Sequence, residues 1–187
     1  MPAPAKVTDE AIVRAARRLV ARHGAAGLSM QAVADEVGVR APSLYKRFAD
    51  RAALLAAVQH AVFDEIGRRL ETAASDWPNP KLAFAGIATA YRAWARAHPH
   101  LYDLMFSLDV PHDDASDEAR RVAAQPLVAR LTEWLGAERA LPAARVLTAF
   151  VHGFVSMELH GAFRLGEGVD EAFRFGLERL VSSLIKS

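Results

Sequence analysis

Between Ser29 and Phe48, two short apolar patterns at helical spacing meet at a single glycine. Ser29 is the residue type that caps a helix start, and Val33, Ala34 and Val37 form an inner face behind it. Gly38 allows a sharp turn through positive φ. A further helix follows at once, from Ala41 to about Arg47 or Phe48, with Leu44 and Phe48 turned inward. Two short helices joined by a brief turn containing glycine make a helix-turn-helix. Ala34 is small enough to let the two helices cross closely. No other feature constrains the fold as tightly, because this one fixes a pair of helices and leaves one side of the second uncovered.

A third helix precedes the pair. Thr8 is its expected N-cap, and Asp9 and Glu10 place negative charge in the first turn, where the helix dipole favours it. Ile12, Ala16, Leu19, Val20 and His23 recur at helical spacing, and Gly24 ends the run. The uncovered side of the last helix shows Arg40, Ala41, Pro42, Ser43, Tyr45, Lys46 and Arg47. Short residues near a helix start can approach base edges, while hydroxyl, phenol and ammonium groups meet phosphates. Charge agrees with a polyanion partner for this end of the chain. Residues 1–60 hold nine Lys and Arg against five Asp and Glu, whereas 61–187 hold fourteen against seventeen.

Beyond the head the pattern stays helical, with no period-two stretch. Gly, Pro and Asp clusters at 24–27, 38–39, 50, 77–80, 98–99, 109–116, 136–142 and 166–169 divide the chain into about nine helices. The expected fold is all-α: a three-helix head over 1–50, joined to a helical bundle over 51–187. Hydrophobic residues make up 52%, enough for a core. No apolar run approaches the roughly 18 to 20 residues that span a bilayer, so no membrane partner is expected. Nor does the N-terminus read as a secretion signal. There is no cysteine, which excludes disulfides, thiolate zinc sites and thiol catalysis and agrees with a reducing cytoplasm.

The head resembles the TetR family of bacterial regulators. The resemblance is carried by Ala11-Ile12 to Ala16, Leu19, His23-Gly24, Leu28-Ser29-Met30, Val33-Ala34, Val37-Gly38-Val39, Ser43 to Phe48 and Leu54-Leu55. It implies phosphate contacts for Tyr45 and Lys46, and a major-groove position for Arg40, Ala41, Pro42 and Ser43, with Ser29 beside them. Arg51 stands where the family usually has Lys, and is expected to meet phosphate while Asp50 caps its helix. Arg40 replaces the more usual Ser or Thr, so it is free to reach phosphate or a guanine edge. Pro42 replaces a smaller residue; it is tolerated in a first turn but removes one backbone donor. That leaves Ser43 as the uncharged polar side chain best placed to read a base.

The remaining chain is rich in large apolar side chains. Phe84, Tyr91 and Trp94 fall on a fifth helix, and Tyr102, Met105 and Phe106 on a short sixth. Phe150, Phe154 and Met157 line an eighth. Such stripes usually form core; together with His152 they are also the candidate lining for a small apolar or aromatic ligand. His152-Gly153 and the 98–106 segment resemble a TetR subgroup with a Trp-His-Gly motif. The resemblance implies a homodimer through the last two long helices, about 142–161 and 170–186, with Gly153 and Gly161 allowing close approach. It also implies paired heads on a palindromic double-stranded operator, release by the ligand, and a repressor's action. The seven histidines show no chelating spacing, so neither a metal nor a cofactor is expected. No phosphate loop, HExxH or GxSxG pattern points to an enzyme.

Overall fold

Three helix starts follow hydroxyl and carboxylate signals. Thr8 Oγ1 accepts from the Ala11 N–H at 3.2 Å, Ser29 Oγ from Ala32 at 3.1 Å, and Asp50 Oδ1 from Ala53 at 2.8 Å. The computed structural model describes residues 7–110, 113–166 and 168–184. Among them are nine α-helices, one short 3₁₀ turn and no strand. They are α1 (Asp9–His23), α2 (Met30–Val37), α3 (Ala41–Tyr45), α4 (Arg51–Ser75) and α5 (Pro80–Ala97). Then come α6 (Pro99–Met105), α7 (Asp114–Leu135), α8 (Ala137–Leu159) and α9 (Val169–Ser183). The all-α expectation is met.

The chain divides into two compact units. One runs to Glu65 and takes in His98–Val122; the other holds Ile66–Ala97 and the chain from Ala123 on. The functional division expected near residue 50 does not coincide with this boundary. In the first unit, Ile12, Ala16, Leu19 and Val20 of α1 are buried with Val33 and Ala34 of α2 and Leu44 of α3. Leu54, Leu55 and Val58 of α4 and Leu101, Tyr102 and Leu104 of α6 complete that core. His23, expected on the inner face of α1, is exposed. In the second unit the core is Phe84, Ile87 and Trp94 of α5, Leu131 of α7, Leu147, Val151 and Val155 of α8, and Phe173 and Leu177 of α9.

Three boundaries depart from expectation. α3 stops at Tyr45, because the N–H groups of Arg47 and Phe48 both turn back to the Leu44 carbonyl, at 2.8 and 2.9 Å. Phe48 therefore lies past the helix and is only half-buried. α8 begins at Ala137 and runs through Pro142, because one proline removes a single helical bond, whereas the packing of Ala140, Ala143 and Ala144 on either side is retained. It ends at Leu159, and α9 spans Val169–Ser183; the expected end at 186 lies outside the described residues. α8 is also long and apolar enough to cross a membrane by length and composition, with mean hydropathy 1.3. The sequence reading missed this because Arg139 and Arg145 interrupt its apolar run. Only 33% of that apolar window is buried within the chain.

Candidate functional site

α3 is positioned by what surrounds it. Gly38 closes α2 in the left-handed region, at φ 72° and ψ 33°, and turns the chain through Val39 and Arg40 into α3. Leu44, 1% exposed, anchors the inner side. Arg40 takes the N-cap position without a side-chain cap, and Pro42 lies in the first turn. On the outer side Arg40, Pro42, Ser43, Tyr45 and Lys46 are exposed, while Ala41 is half-buried. Ser29 is exposed at the start of α2, where its oxygen caps the helix. The structure thus brings seven of the eight predicted residues to one edge of the helix-turn-helix or its N-terminal flank.

Arg51, the eighth, turns inward. Its Nε donates to the Leu28 carbonyl at 2.9 Å and its Nη2 to that of Ala25 at 2.5 Å. These bonds tie the α1–α2 connection to the start of α4, a structural task that spacing could not reveal. The other basic residues of the head are engaged too. Arg14 faces Glu10 at 3.7 Å, Arg17 pairs with Glu65, and Arg47 pairs with Asp9 and donates to the Val7 carbonyl at 2.7 Å. Arg18 and Arg22 converge on Glu36, at 3.0 and 3.1 Å. The Arg18 hydrogen bond foremost, then that of Arg22, holds the Glu36 carboxyl below its usual range. Among the described residues of the head, only Arg40 and Lys46 are cations with no ion pair or hydrogen bond. They stand at the two ends of α3, with Pro42, Ser43 and Tyr45 between them.

The predicted ligand residues are shared between the units. Tyr102 and Met105 are buried in the first and Phe106 is 48% exposed there. Phe84 and Trp94 are buried in the second, and Tyr91, Phe150, His152 and Phe154 half-buried. Met157 is 49% exposed, so it does not share the enclosed side of α8 with Phe154. Burial pushes the His152 imidazole below its ordinary value. In the second unit Phe154 meets Phe173 at 5.1 Å and Phe163 at 4.7 Å. Arg92 lies 4.7 Å from the Phe173 ring centroid and 5.7 Å from that of Phe154. Its guanidinium holds both oxygens of Glu158 and, at 2.6 Å, Asp170. No group of three or more metal-binding side chains occurs among the described residues.

Two residues escaped the sequence reading. Gly176 on α9 permits a close approach within the protomer, since a Cβ there would run into the Phe150 ring. At Gly153 and Gly161 a Cβ would meet nothing within 4 Å. Gln59 of α4 is fully buried and donates Nε2 to the Leu104 carbonyl at 2.9 Å. A single glutamine among apolar residues gave no signal in the sequence.

A helix-turn-helix whose exposed third helix carries the free cations, in an otherwise helical chain, defines an HTH-type transcriptional regulator. Comparison with known proteins gives the family. The profile of bacterial regulatory proteins of the tetR family matches residues 12–58, and that of the tetracyclin repressor-like C-terminal domain matches 84–180. The chain belongs to the TetR family; it is a DNA-binding transcriptional regulator and not an enzyme. It is 32% identical to an uncharacterised HTH-type transcriptional regulator, Rv0681, of Mycobacterium tuberculosis, across 84% of this chain and 73% of that one. Among solved structures it is similar to a protein of unknown function from Rhodococcus sp. RHA1, with 26% identity, 98% of each chain covered and TM-score 0.83. It shares its fold with the transcriptional regulator FadR from Bacillus subtilis in complex with stearoyl-CoA, with 16% identity, TM-score 0.72, and 94% and 98% of the chains covered.

Proposed function

We propose that the chain acts as a cytoplasmic homodimeric repressor that binds a palindromic operator and is released by a small, largely apolar ligand. The observation that carries this reading is the pairing of charge in the head. The other described cations of the head are held by a carboxylate or a carbonyl, while Arg40 and Lys46 flank the exposed side of α3. Arg40, Ala41, Pro42 and Ser43 face the groove, Tyr45 and Lys46 take phosphate, and Ser29 offers its hydroxyl proton to the backbone beside them. Residues 1–50 form the reading head and 51–187 the sensing and dimerising body. Arg51 keeps only a secondary part at the phosphates, since two of its donor groups face inward.

The dimer reading rests on α8. Pro142, Val146, Ala149, Gly153, Ser156 and His160 follow one another by four and three residues, and all are exposed or half-buried. On α9, Ala172 and Phe175 are exposed as well. A second copy covers this face and sets two heads at the spacing of successive major grooves. Each unit offers apolar surface for a ligand, Tyr102 and Phe106 with Met105 in the first and Phe84, Tyr91, Trp94, Phe150 and Phe154 with His152 in the second, and FadR, which shares this fold, is solved in complex with stearoyl-CoA. Met157 belongs with the dimer face. The ligand acts by binding the released conformation more tightly than the DNA-bound one.

The test is the double variant Tyr45→Ala with Lys46→Ala, measured by fluorescence anisotropy on an operator selected from genomic fragments. Binding is lost while light scattering still reports the wild-type dimer mass. Unchanged affinity in a correctly folded double variant would contradict the assignment of α3.

A further inference from the structure

Among the described residues, Gln59 Oε1 is the one buried side-chain polar atom with no hydrogen-bond partner. The other end of the same amide is fixed. Its Nε2 points at two carbonyls, Leu104 at 2.9 Å and Met105 at 3.5 Å, the last of α6. The helix ends there, and the Leu104 carbonyl also accepts from the Ser107 N–H at 3.3 Å, so the glutamine amide adds a second donor at this helix end. Carbonyls only accept, so the amide cannot be reversed, and Oε1 must face away from α6. Gln59 has no exposed surface. Helical spacing puts Leu55, Val62 and Phe63 on its side of α4, all buried. A leucine or methionine would fill that space without stranding an acceptor, and an orphaned acceptor in apolar surroundings is costly.

We infer that Gln59 is the polar anchor of the ligand site: its Oε1 accepts a hydrogen bond from the effector, which is an apolar molecule bearing a hydroxyl or N–H donor. This rests on the proposed release by a small ligand and narrows it to a chemical class. A carboxylate presents only acceptors to Oε1 and is disfavoured; a pure hydrocarbon leaves the oxygen orphaned. Because the same amide holds the end of α6, the residue that reads the effector also holds a helix of the unit that contains the head. On α6, His100 lies against Gly24 at the end of α1, where an added Cβ would come 3.6 Å from its Nδ1.

The experiment compares probes matched in shape and differing in one donor: indole with indene, 2-naphthol with 2-methylnaphthalene, and 1-nonanol with decane. Affinity for the full-length protein is measured by calorimetry, and DNA release by anisotropy. For at least one pair the donor member binds about tenfold more tightly than its hydrocarbon partner, the worth of one hydrogen bond to a buried acceptor. Gln59→Met removes that preference. Equal binding within every pair, or a preference that survives Gln59→Met, overturns the anchor. The wild-type comparison stands alone should the variant not fold. If the hydrocarbon members bind equally and free DNA, ligand release stands and only Gln59 falls. If no probe binds and none frees DNA, both fall.

Discussion

Arg92 of α5 grips Glu158 of α8 with two parallel hydrogen bonds, from Nε at 2.8 Å and Nη2 at 2.7 Å, while Nη2 also reaches Asp170 at the start of α9. Planar guanidinium and carboxylate match in this geometry as Lys and carboxylate do not. Glu158 first, and Asp170 after it, push the guanidinium further above its high range, so it stays charged. The rings of Phe154 and Phe173 cover it. One side chain thereby joins α5, α8 and α9, three of the helices that carry the core of the second unit.

Arg92→Leu takes the two-pronged partner from Glu158 in a largely buried position and leaves it only the looser contact with Arg96 at 3.7 Å. The unfolding free energy falls by about 3 kcal/mol, as when one half of a buried pair is removed. Arg92→Met combined with Glu158→Leu loses less than the single variant, because no charge is stranded. Urea titrations of the three proteins check both statements.

Gly153 and Gly176 separate folding from assembly. A Cβ at 176 runs into Phe150 within the protomer, so Gly176→Ala lowers stability by about 1–3 kcal/mol through overpacking. A Cβ at 153 meets nothing within 4 Å of its own chain. Gly153→Leu therefore leaves the protomer folded, with an unchanged far-ultraviolet circular dichroism spectrum, and weakens the dimer. Sedimentation across a concentration series reads the second effect.

His152 gives the fold a pH dependence. Burial holds its folded-state pKa below the ordinary 6.5. Below that value the unfolded chain takes up a proton that the folded chain resists, so stability falls as pH drops, until the folded pKa is passed. Thermal melts from pH 7.5 to 5 show this loss in the wild type and a smaller one in His152→Gln. An identical slope in both proteins removes His152 as the source.

The head was legible because its signals are local. Thr8, Ser29 and Asp50 cap by their own chemistry, and Gly38 turns the chain by its own φ. Arg51 and Arg47 were not legible, since their partners lie 23 or more residues away and spacing carries no trace of a carbonyl at Ala25 or a carboxylate at Asp9. Once those partners are known, the basic surface of the head contracts to Arg40 and Lys46. Aromatic residues of the body read as one stripe per helix, but the fold distributes them over two units and turns Met157 outward. Nothing in the sequence distinguishes Gln59 from a solvated glutamine; only its burial and the fixed direction of its amide do so.

The salt dependence of operator binding tests the central claim most directly. Each phosphate neutralised adds about −0.9 to the slope of log affinity against log salt. In a dimer, Lys46→Ala and Arg40→Ala each remove two cations from the interface, so each slope becomes shallower by about 2. Arg22→Ala, whose cation is already paired with Glu36 at 3.1 Å, keeps the wild-type slope. Unchanged slopes for both the Arg40 and the Lys46 variants would contradict the account, because the two free cations of α3 would then not be at the DNA.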